Sequence, residues 1–212
     1  MDAVAFDMDG VLVNSEDYWI ELERERILPE VVPGEEVPTE EFTGIFYEEL
    51  YDVLDAKYDV AVSYDRFTAL YEGAAEDIYG EEVTLTRGTR ELIAELRERG
   101  VPVAMVTASP PDWYETVLER FELPFDETLS VAEIDGPGKP DPAVYEAAAD
   151  RLGVAPEDLL AIEDSHHGTT AAARAGATVV AFGVGAAQVA TGNADLVAET
   201  PEELAEIIRE RA

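Results

Sequence analysis

Short apolar runs typical of buried strands alternate with amphipathic helical patterns along most of this chain, and this alternation narrows the possible folds most. We predict strands at 4–7, 101–107, 128–131, 160–163 and 178–182, with a weaker one at 195–198. The predicted helices between and after them span 89–99, 112–120, 140–152, 167–175 and 201–211. Strands that alternate with helices of about ten residues form βαβ units around a mainly parallel sheet. The pattern therefore predicts an α/β fold with a doubly wound sheet.

Residues 14–84, which we name the helical segment, interrupt this alternation. They contain three successive helical patterns, at 16–28, 39–58 and 64–79. Eleven of the 18 aromatic residues lie in this segment, which indicates that it packs a small core of its own. We predict an α-helical domain inserted after the first strand, with 1–13 and 85–212 forming the α/β core.

The chain is strongly acidic, with a formal net charge of −34 at pH 7. A field of this sign repels nucleic-acid phosphates and anionic lipids, so we expect neither nucleic acid nor a membrane as a partner. The acids are spread along the apolar patterns and do not form a tail, which argues against a disordered acidic extension. Concentrated salt would screen such a coat, so the charge favours a halophilic protein.

The sequence contains no cysteine, which excludes disulfides, thiolate metal sites and cysteine nucleophiles. No basic and apolar leader precedes the first predicted strand, so we expect a soluble cytoplasmic protein. We expect it to be a monomer or a homodimer.

Polar side chains stand where three of the predicted strands end. Asp7 and Asp9 follow the first strand, Thr107 ends the second, and Glu163 and Asp164 end the fourth. Ligands of open parallel sheets bind outside the carboxyl ends of the strands. We therefore expect these side chains to form one site at that edge.

Crowded carboxylates at such an edge favour a bound cation. Two like charges about 4 Å apart repel by roughly 4 kcal/mol at an effective dielectric constant near 20. Oxygen ligands favour a hard divalent ion, and Mg²⁺ fits best because it takes few carboxylates together with water and phosphate oxygens. Lys139, one of only two lysines, is the natural anchor for an anionic substrate.

Each of these motifs alone is common in turns and helix caps. Together, and in this order along the chain, they are typical of one family of proteins. The chain resembles the haloacid dehalogenase-like hydrolases, in the branch of phosphoglycolate-phosphatase-like and β-phosphoglucomutase-like proteins. The resemblance covers nearly the whole chain and rests on the motifs at 7–12, 106–109, 138–142 and 162–165, followed by 168 and 171–176. It implies a Rossmann-like core and a helical cap domain formed by residues 14–84.

The resemblance also implies a reaction, the Mg²⁺-dependent hydrolysis of a small phosphorylated metabolite of the phosphoglycolate or sugar-phosphate kind. In the family, the residue at Asp7 attacks phosphorus and forms an aspartyl-phosphate. The residue at Asp9 protonates the leaving group and later activates water. Thr107, the backbone N–H of Ala108 and Lys139 are the implied binding groups for the phosphoryl oxygens.

The implied Mg²⁺ ligands are the Asp7 carboxylate, the Asp9 backbone carbonyl and the Asp164 carboxylate. Glu163 is implied either as a further ligand or as a group behind the ligands. Dehalogenases and phosphonate-cleaving members lack an acid/base aspartate at the position of Asp9, so both activities are disfavoured.

A β-phosphoglucomutase-like phosphotransferase is the alternative activity. The mutase pattern is only partly present, because Trp19 replaces its histidine, Asn14 replaces a usual aspartate, and the loop around Thr43 and Gly44 lacks its basic residues. A phospho-receiver signalling module or a non-catalytic pseudo-hydrolase fits less well. His166 and His167 follow the fourth motif directly. Two interpretations are open, contact with the substrate or the metal carboxylates and a solvent-facing pair at a helix start, and we favour the second.

Overall fold

A parallel sheet forms the centre of the protein in the computed structural model, which describes residues 1–184 and 189–212, with Glu40 described by its backbone alone. Within these residues the sheet has six strands: β1 Ala3–Phe6, β2 Val103–Thr107, β3 Glu127–Ser130, β4 Leu159–Glu163, β5 Thr178–Ala181 and β6 Leu196–Val197. Their order is β3-β2-β1-β4-β5-β6, and every pair is parallel. The chain builds outward from β1 in both directions, so the prediction of a doubly wound α/β sheet is confirmed.

Nine α-helices are found in the described residues. They are α1 Ser15–Leu22, α2 Leu28–Val31, α3 Tyr47–Asp55, α4 Tyr64–Asp77, α5 Thr89–Glu98, α6 Pro111–Phe121, α7 Ala143–Leu152, α8 His166–Ala175 and α9 Pro201–Arg211. Two π-helical turns, Glu23–Ile27 and Ile78–Glu82, follow α1 and α4. Three 3₁₀ turns occupy Thr39–Glu41, Val131–Glu133 and Pro156–Asp158. None of the described helices has the length and apolar character needed to cross a bilayer.

Both faces of the sheet are buried, which explains why its strands are continuously apolar. On β1, Val4 and Phe6 face one apolar core, which also contains residues of α5, α6 and α9. Ala3 and Ala5 face the other core, which contains residues of α7 and α8. This period of two places helices in a layer on each side of the sheet.

One helix prediction in the helical segment is wrong. The pattern predicted a single helix over 39–58, whereas a 3₁₀ turn and α3 occupy that stretch with residues 42–46 between them. Gly44 has a φ of 73°, a left-handed conformation that interrupts an α-helix. A Cβ at Gly44 would lie 2.5 Å from Ser165 Oγ, so the loop approaches the start of α8 closely.

Candidate active site

The strand order brings the predicted polar residues to one edge of the sheet. β1 lies between β2 and β4, and the backbone N–H of Asp7 continues the ladder by donating to the carbonyl of Ile162 at 2.9 Å. Asp7, Thr107 and Asp164 therefore lie at the carboxyl ends of three neighbouring strands, at the same edge of the sheet.

Asp7, Glu163 and Asp164 form a buried cluster of carboxylates. One oxygen from each side chain lies within 4.8 Å of the other two, and all three residues are buried. Burial first, and then the charge of Glu163, raise the pKa of Asp7 well above its ordinary value. Burial and the neighbouring Glu16 raise the pKa of Asp164 in the same direction. The raised pKa values show that these carboxylates repel one another and that a nearby positive charge stabilises their ionised forms.

Lys139 compensates part of this charge. Its ammonium donates hydrogen bonds at 2.6 Å to Asp7 Oδ1 and to Glu163 Oε1, and a longer one at 3.2 Å to the carbonyl of Val106. Burial alone would lower the pKa of Lys139, but the two carboxylates outweigh it and raise the pKa above the ordinary value. The side chain thus stays charged although only 3% of the residue is exposed.

Glu163 has one satisfied oxygen and one free oxygen. Oε1 accepts hydrogen bonds from Lys139 and from the hydroxyl of Tyr145, the latter at 2.5 Å. Oε2 is buried and has no hydrogen-bond partner among the described residues. A Cβ at Gly168 would lie 1.9 Å from this oxygen, so only a glycine on α8 leaves room for the carboxylate.

These residues fit a hard divalent cation. An unpartnered buried oxygen beside two further carboxylates supplies the charge and the oxygen ligands that Mg²⁺ binds. The cluster contains neither a thiolate nor an imidazole, the ligands that favour zinc. The donor set thus fits a divalent cation held by Asp7, Asp164 and Glu163.

The carboxylate of Asp9 is held apart from this cluster by hydroxyl groups. Oδ1 accepts hydrogen bonds from Ser15 and Tyr79, each at 2.6 Å, and Oδ2 accepts one from Ser109 at 2.7 Å. Thr107 Oγ1 approaches Oδ2 at 3.5 Å. Asp7 and Asp9 therefore lie two residues apart in entirely different surroundings, one beside an ammonium and the other among hydroxyls.

Tyr79 connects Asp9 to the helical segment. Its phenol oxygen also accepts a hydrogen bond from Trp19 Nε1 at 3.0 Å and lies 3.1 Å from Ser109 Oγ. Burial and the adjacent Asp9 raise the pKa of Tyr79 well above its ordinary value, so the phenol keeps its proton. Tyr79 could not be predicted as a site residue, because it is one of nine tyrosines, seven of them in the helical segment, and no local motif distinguishes it.

Two of the three predicted phosphate-binding residues line a cavity, and the third, Thr107, does not. Ala108 and Lys139 line a cavity above the carboxylate cluster. Thr107 is fully buried, and its hydroxyl accepts a hydrogen bond from the backbone N–H of Ser109 at 2.9 Å. Ser109, within the second motif but not predicted as a site residue, lines the cavity.

The opposite wall of the cavity comes mainly from the helical segment. Its aromatic members are Trp19, Phe42, Tyr47, Tyr71 and Tyr79, with Trp113 of α6 beside them. Glu16 and Glu23 contribute two buried carboxyl groups. Burial raises the pKa of Glu23 to about 8. The cavity therefore lies between the edge of the sheet and the helical segment.

The two histidines differ in their surroundings. His166 is exposed, as interpreted from the sequence. His167 is half-buried, and its Nδ1 lies 3.1 Å from the carbonyl of Thr43. The interpretation of a solvent-facing pair is therefore wrong for His167, because the loop at 42–46 covers it.

One family model and several known proteins are similar to this chain. The family model described as haloacid dehalogenase-like hydrolase matches residues 1–176. The chain is 28% identical over 218 residues to the phosphorylated carbohydrates phosphatase of Thermotoga maritima, covering 99% of both chains. It is also 28% identical over 218 residues to the beta-phosphoglucomutase of Bacillus subtilis, covering 96% of this chain and 92% of that protein.

A solved structure has the same fold. It is a haloacid dehalogenase family hydrolase of Deinococcus radiodurans with bound phosphate and sodium. Its sequence is 29% identical to this chain, and the match covers 100% of this chain and 96% of that one, with a TM-score of 0.69.

Proposed function

The chain belongs to the haloacid dehalogenase-like hydrolases, and we propose that it is a Mg²⁺-dependent phosphatase of a small phosphorylated metabolite that works through an aspartyl-phosphate. The observation that carries this proposal is the different surroundings of two neighbouring aspartates. Asp7 lies in the acidic cluster beside Lys139, and Asp9 lies outside it among hydroxyl donors. This arrangement suits one nucleophile and one acid/base group.

In the proposed first step, a carboxylate oxygen of Asp7 attacks phosphorus. The bond between phosphorus and the leaving oxygen breaks, and the Asp9 carboxyl gives its proton to that oxygen. In the second step, Asp9 takes a proton from water, the water oxygen attacks the same phosphorus, and Asp7 is released as a carboxylate. The hydroxyls of Ser15 and Tyr79 donate to Oδ1 of Asp9 and fix the position of this carboxyl group during both steps.

The proposed Mg²⁺ ligands are the carboxylates of Asp7 and Asp164 and the backbone carbonyl of Asp9. Glu163 supplies an additional oxygen close to them, either to the ion or to a water on it. Bound Mg²⁺ neutralises the carboxylates and the charge that develops on the phosphoryl group.

Lys139 and the backbone N–H of Ala108 are the proposed partners of the phosphoryl oxygens. The Lys139 ammonium lies 2.6 Å from the Asp7 oxygen and therefore beside the point where phosphorus would bind. The hydroxyl of Thr107 is proposed as a third partner, although it is buried and bonded to the N–H of Ser109. Because the Thr107 oxygen accepts that bond, the hydroxyl hydrogen is available to a phosphoryl oxygen.

We propose that residues 14–84 form a cap over a core made of 1–13 and 85–212. The two connections of this segment lie side by side, since Val13 pairs with Leu85 and the N–H of Thr84 donates to Asn14 Oδ1 at 2.7 Å. Paired connections of this kind form a natural hinge for opening the cavity.

Phosphoglucomutase activity is the second candidate, and the relative in Bacillus subtilis favours it. The cavity wall argues for hydrolysis, because the loop at 42–46 brings no basic side chain to hold a second phosphate group of a bisphosphate. Phosphoglycolate-like and sugar-phosphate-like esters are the proposed substrates. We propose a cytoplasmic monomer or homodimer with no nucleic-acid or membrane partner.

The test is phosphate release from a panel of phosphorylated metabolites, with Mg²⁺ in multimolar KCl. We expect activity that EDTA abolishes and Mg²⁺ restores, and that Asp7→Asn removes while the exposed control Asp150→Asn does not. Full activity of Asp7→Asn, or activity that persists in EDTA, would refute the proposed mechanism.

A further inference from the structure

Glu23 has a position that the phosphatase mechanism does not use. It lies in the π-helical turn after α1, is 7% exposed, and lines the same cavity as Asp7 and Lys139. The hydroxyl of Tyr71 donates to its Oε1 at 2.9 Å. Among the described residues this is the one hydrogen bond that the carboxyl makes, so its second oxygen is free to bond a ligand in the cavity that Glu23 lines. π-Helical turns occur often at functional sites.

Four flat rings next to Glu23 form a rigid apolar wall. Trp19 stacks on Tyr71 and on Trp113, with ring centroids 5.5 and 5.4 Å apart. Tyr47 stacks on the same two rings at 5.4 and 4.9 Å. Each ring therefore holds two others in place, and all four line the cavity. Aromatic walls of this kind pack against the C–H groups of a leaving group. A polar side chain among the rings can hydrogen-bond to the hydroxyls of the same leaving group.

The cavity offers no cation for a second anionic group. Among its described lining residues, Lys139 is the one basic side chain, against the carboxyl groups of Asp7, Asp9, Glu16, Glu23 and Asp164. Lys139 is the proposed partner of the transferred phosphoryl group, so its single charge is not available to a second anionic group. Residues 185–188 are Gly, Ala, Ala and Gln, so they add no basic side chain. A carboxylate or second phosphate on the leaving group would lie unpaired among buried acids.

From this geometry we propose that the leaving group is uncharged and polyhydroxylated, and that Glu23 determines specificity by hydrogen bonding to one of its hydroxyls. The proposal rests on the proposed phosphatase function and narrows its substrate class to polyol or sugar monophosphates. It excludes esters such as phosphoglycolate and sugar bisphosphates. Because burial raises the pKa of Glu23 to about 8, the free carboxyl is mostly neutral near pH 7 and favours a neutral partner over a cationic one.

The first experiment compares kcat/KM for esters that differ in the leaving group. Sorbitol phosphate and glycerol phosphate have neutral polyol leaving groups, whereas phosphoglycolate and a sugar bisphosphate have anionic ones. Phosphoethanolamine has a cationic leaving group, and phenyl phosphate has one without further hydroxyls. We expect the polyol phosphates to exceed both anionic esters by at least about 100-fold, because like charges in a desolvated site repel strongly.

Three variants separate Glu23 from its surroundings. We expect Glu23→Leu to lower kcat/KM for sorbitol phosphate by at least about 10-fold, mainly through KM, and to lower kcat/KM for phenyl phosphate much less. Glu23→Gln keeps a neutral hydrogen-bonding group of the same size and should retain most of the activity on sorbitol phosphate. Glu25→Gln, an exposed glutamate of the same turn, should behave as the unmodified protein. Thermal unfolding of each variant shows whether it is folded.

The outcomes are distinguishable. Equal or better hydrolysis of phosphoglycolate or the bisphosphate would overturn the uncharged leaving group, and a preference for phosphoethanolamine would replace it with a cationic one. A folded Glu23→Leu with unchanged selectivity would overturn the role of Glu23. If no ester is hydrolysed, phenyl phosphate included, the proposed function fails and this inference fails with it.

Discussion

Tyr79 connects the end of the helical segment to Asp9, the proposed acid/base group, which Ser15 at the start of that segment also contacts. Its hydroxyl is 2.6 Å from Asp9 Oδ1 although the two residues are 70 positions apart. Trp19, also from the helical segment, donates to the same phenol oxygen. The position of Asp9 therefore depends on the helical segment being closed over the sheet edge, which makes Tyr79 a positioning residue.

We expect Tyr79→Phe to lower kcat by about 10- to 100-fold on alkyl phosphates, because Asp9 loses a hydroxyl that fixes its position. p-Nitrophenyl phosphate should be affected much less, since its leaving group departs without a proton. Steady-state kinetics on both esters measures this difference. Tyr18→Phe, whose hydroxyl donates to the Glu82 carbonyl at 3.2 Å, is the control. Equal losses on both esters would show that Tyr79 acts on stability or binding.

Glu23 gives a pH-dependent contribution to stability. Its pKa rises on folding from 4.5 to about 8 because burial disfavours the anion. The folded protein then holds a proton that the unfolded chain has lost, so this contribution is complete below pH 4.5 and is lost as the pH rises toward 8. The slope is at most about 1.4 kcal/mol per pH unit.

We therefore expect the unfolding free energy of Glu23→Gln to exceed that of the unmodified protein increasingly between pH 5 and pH 8. Urea denaturation at several pH values measures the difference. Glu25→Gln should show no such trend. A constant difference between the Glu23 variant and the parent would contradict the raised pKa.

At the scale of elements, strands and helices of the core were predictable because their signals are local. The alternation of apolar runs and amphipathic patterns defines β1 to β6 within a few residues of their ends. The helical segment was predicted less well, because the left-handed break at Gly44 lies where the loop comes close to Ser165, a residue far along the chain.

Some residues of the candidate site could likewise be predicted from the sequence, and others could not. Asp7, Thr107 and Asp164 stand at strand ends, so the sequence alone places them together. Tyr145 and Tyr79 could not be predicted, because each lies in a helical element and reaches the site only through tertiary packing. Their partners, Glu163 and Asp9, are 18 and 70 positions away.

Helix α8 approaches the end of β4 so closely that Gly168 has no room for a side chain. In Gly168→Ala the new Cβ would meet both Glu163 oxygens, at 1.9 and 2.2 Å. We expect a loss of about 1–3 kcal/mol in unfolding free energy from overpacking, together with a large loss of kcat and weaker Mg²⁺ binding. Calorimetric titration with Mg²⁺ and urea denaturation measure both effects.

Gly73→Ala is the matched control, because Gly73 also lies within a helix and a Cβ there meets nothing within 4 Å. It should stabilise the protein by roughly 0.5–1 kcal/mol and leave Mg²⁺ affinity unchanged. If Gly168→Ala were equally harmless, the close packing of Glu163 would not matter for the site.

For the whole molecule, the charge of −34 dominates the response to salt. The helical segment alone has 21 acidic and 4 basic residues, so repulsion also acts across the cavity. The Debye length falls from about 10 Å at 0.1 M to about 3 Å at 1 M salt. Most of the mutual repulsion between the surface acids should therefore be screened as the salt concentration rises from 0.1 M to 1 M.

We expect the Tm to rise steeply with KCl up to about 1 M and to level off above it. Differential scanning calorimetry in KCl from low to multimolar concentration measures the curve. A Tm independent of KCl would contradict the halophilic interpretation, and a rise only above 1 M would point to salting-out of apolar surface as its cause.

The most direct test of the account is the identification of the phosphorylated residue during turnover. The protein is mixed with Mg²⁺ and a hydrolysable ester, quenched rapidly in acid, digested and analysed by mass spectrometry. We predict a phosphate on the peptide containing Asp7, at the Asp7 side chain, and none in Asp7→Asn. Phosphate on another residue, or product formation from Asp7→Asn at the normal rate, would contradict the account.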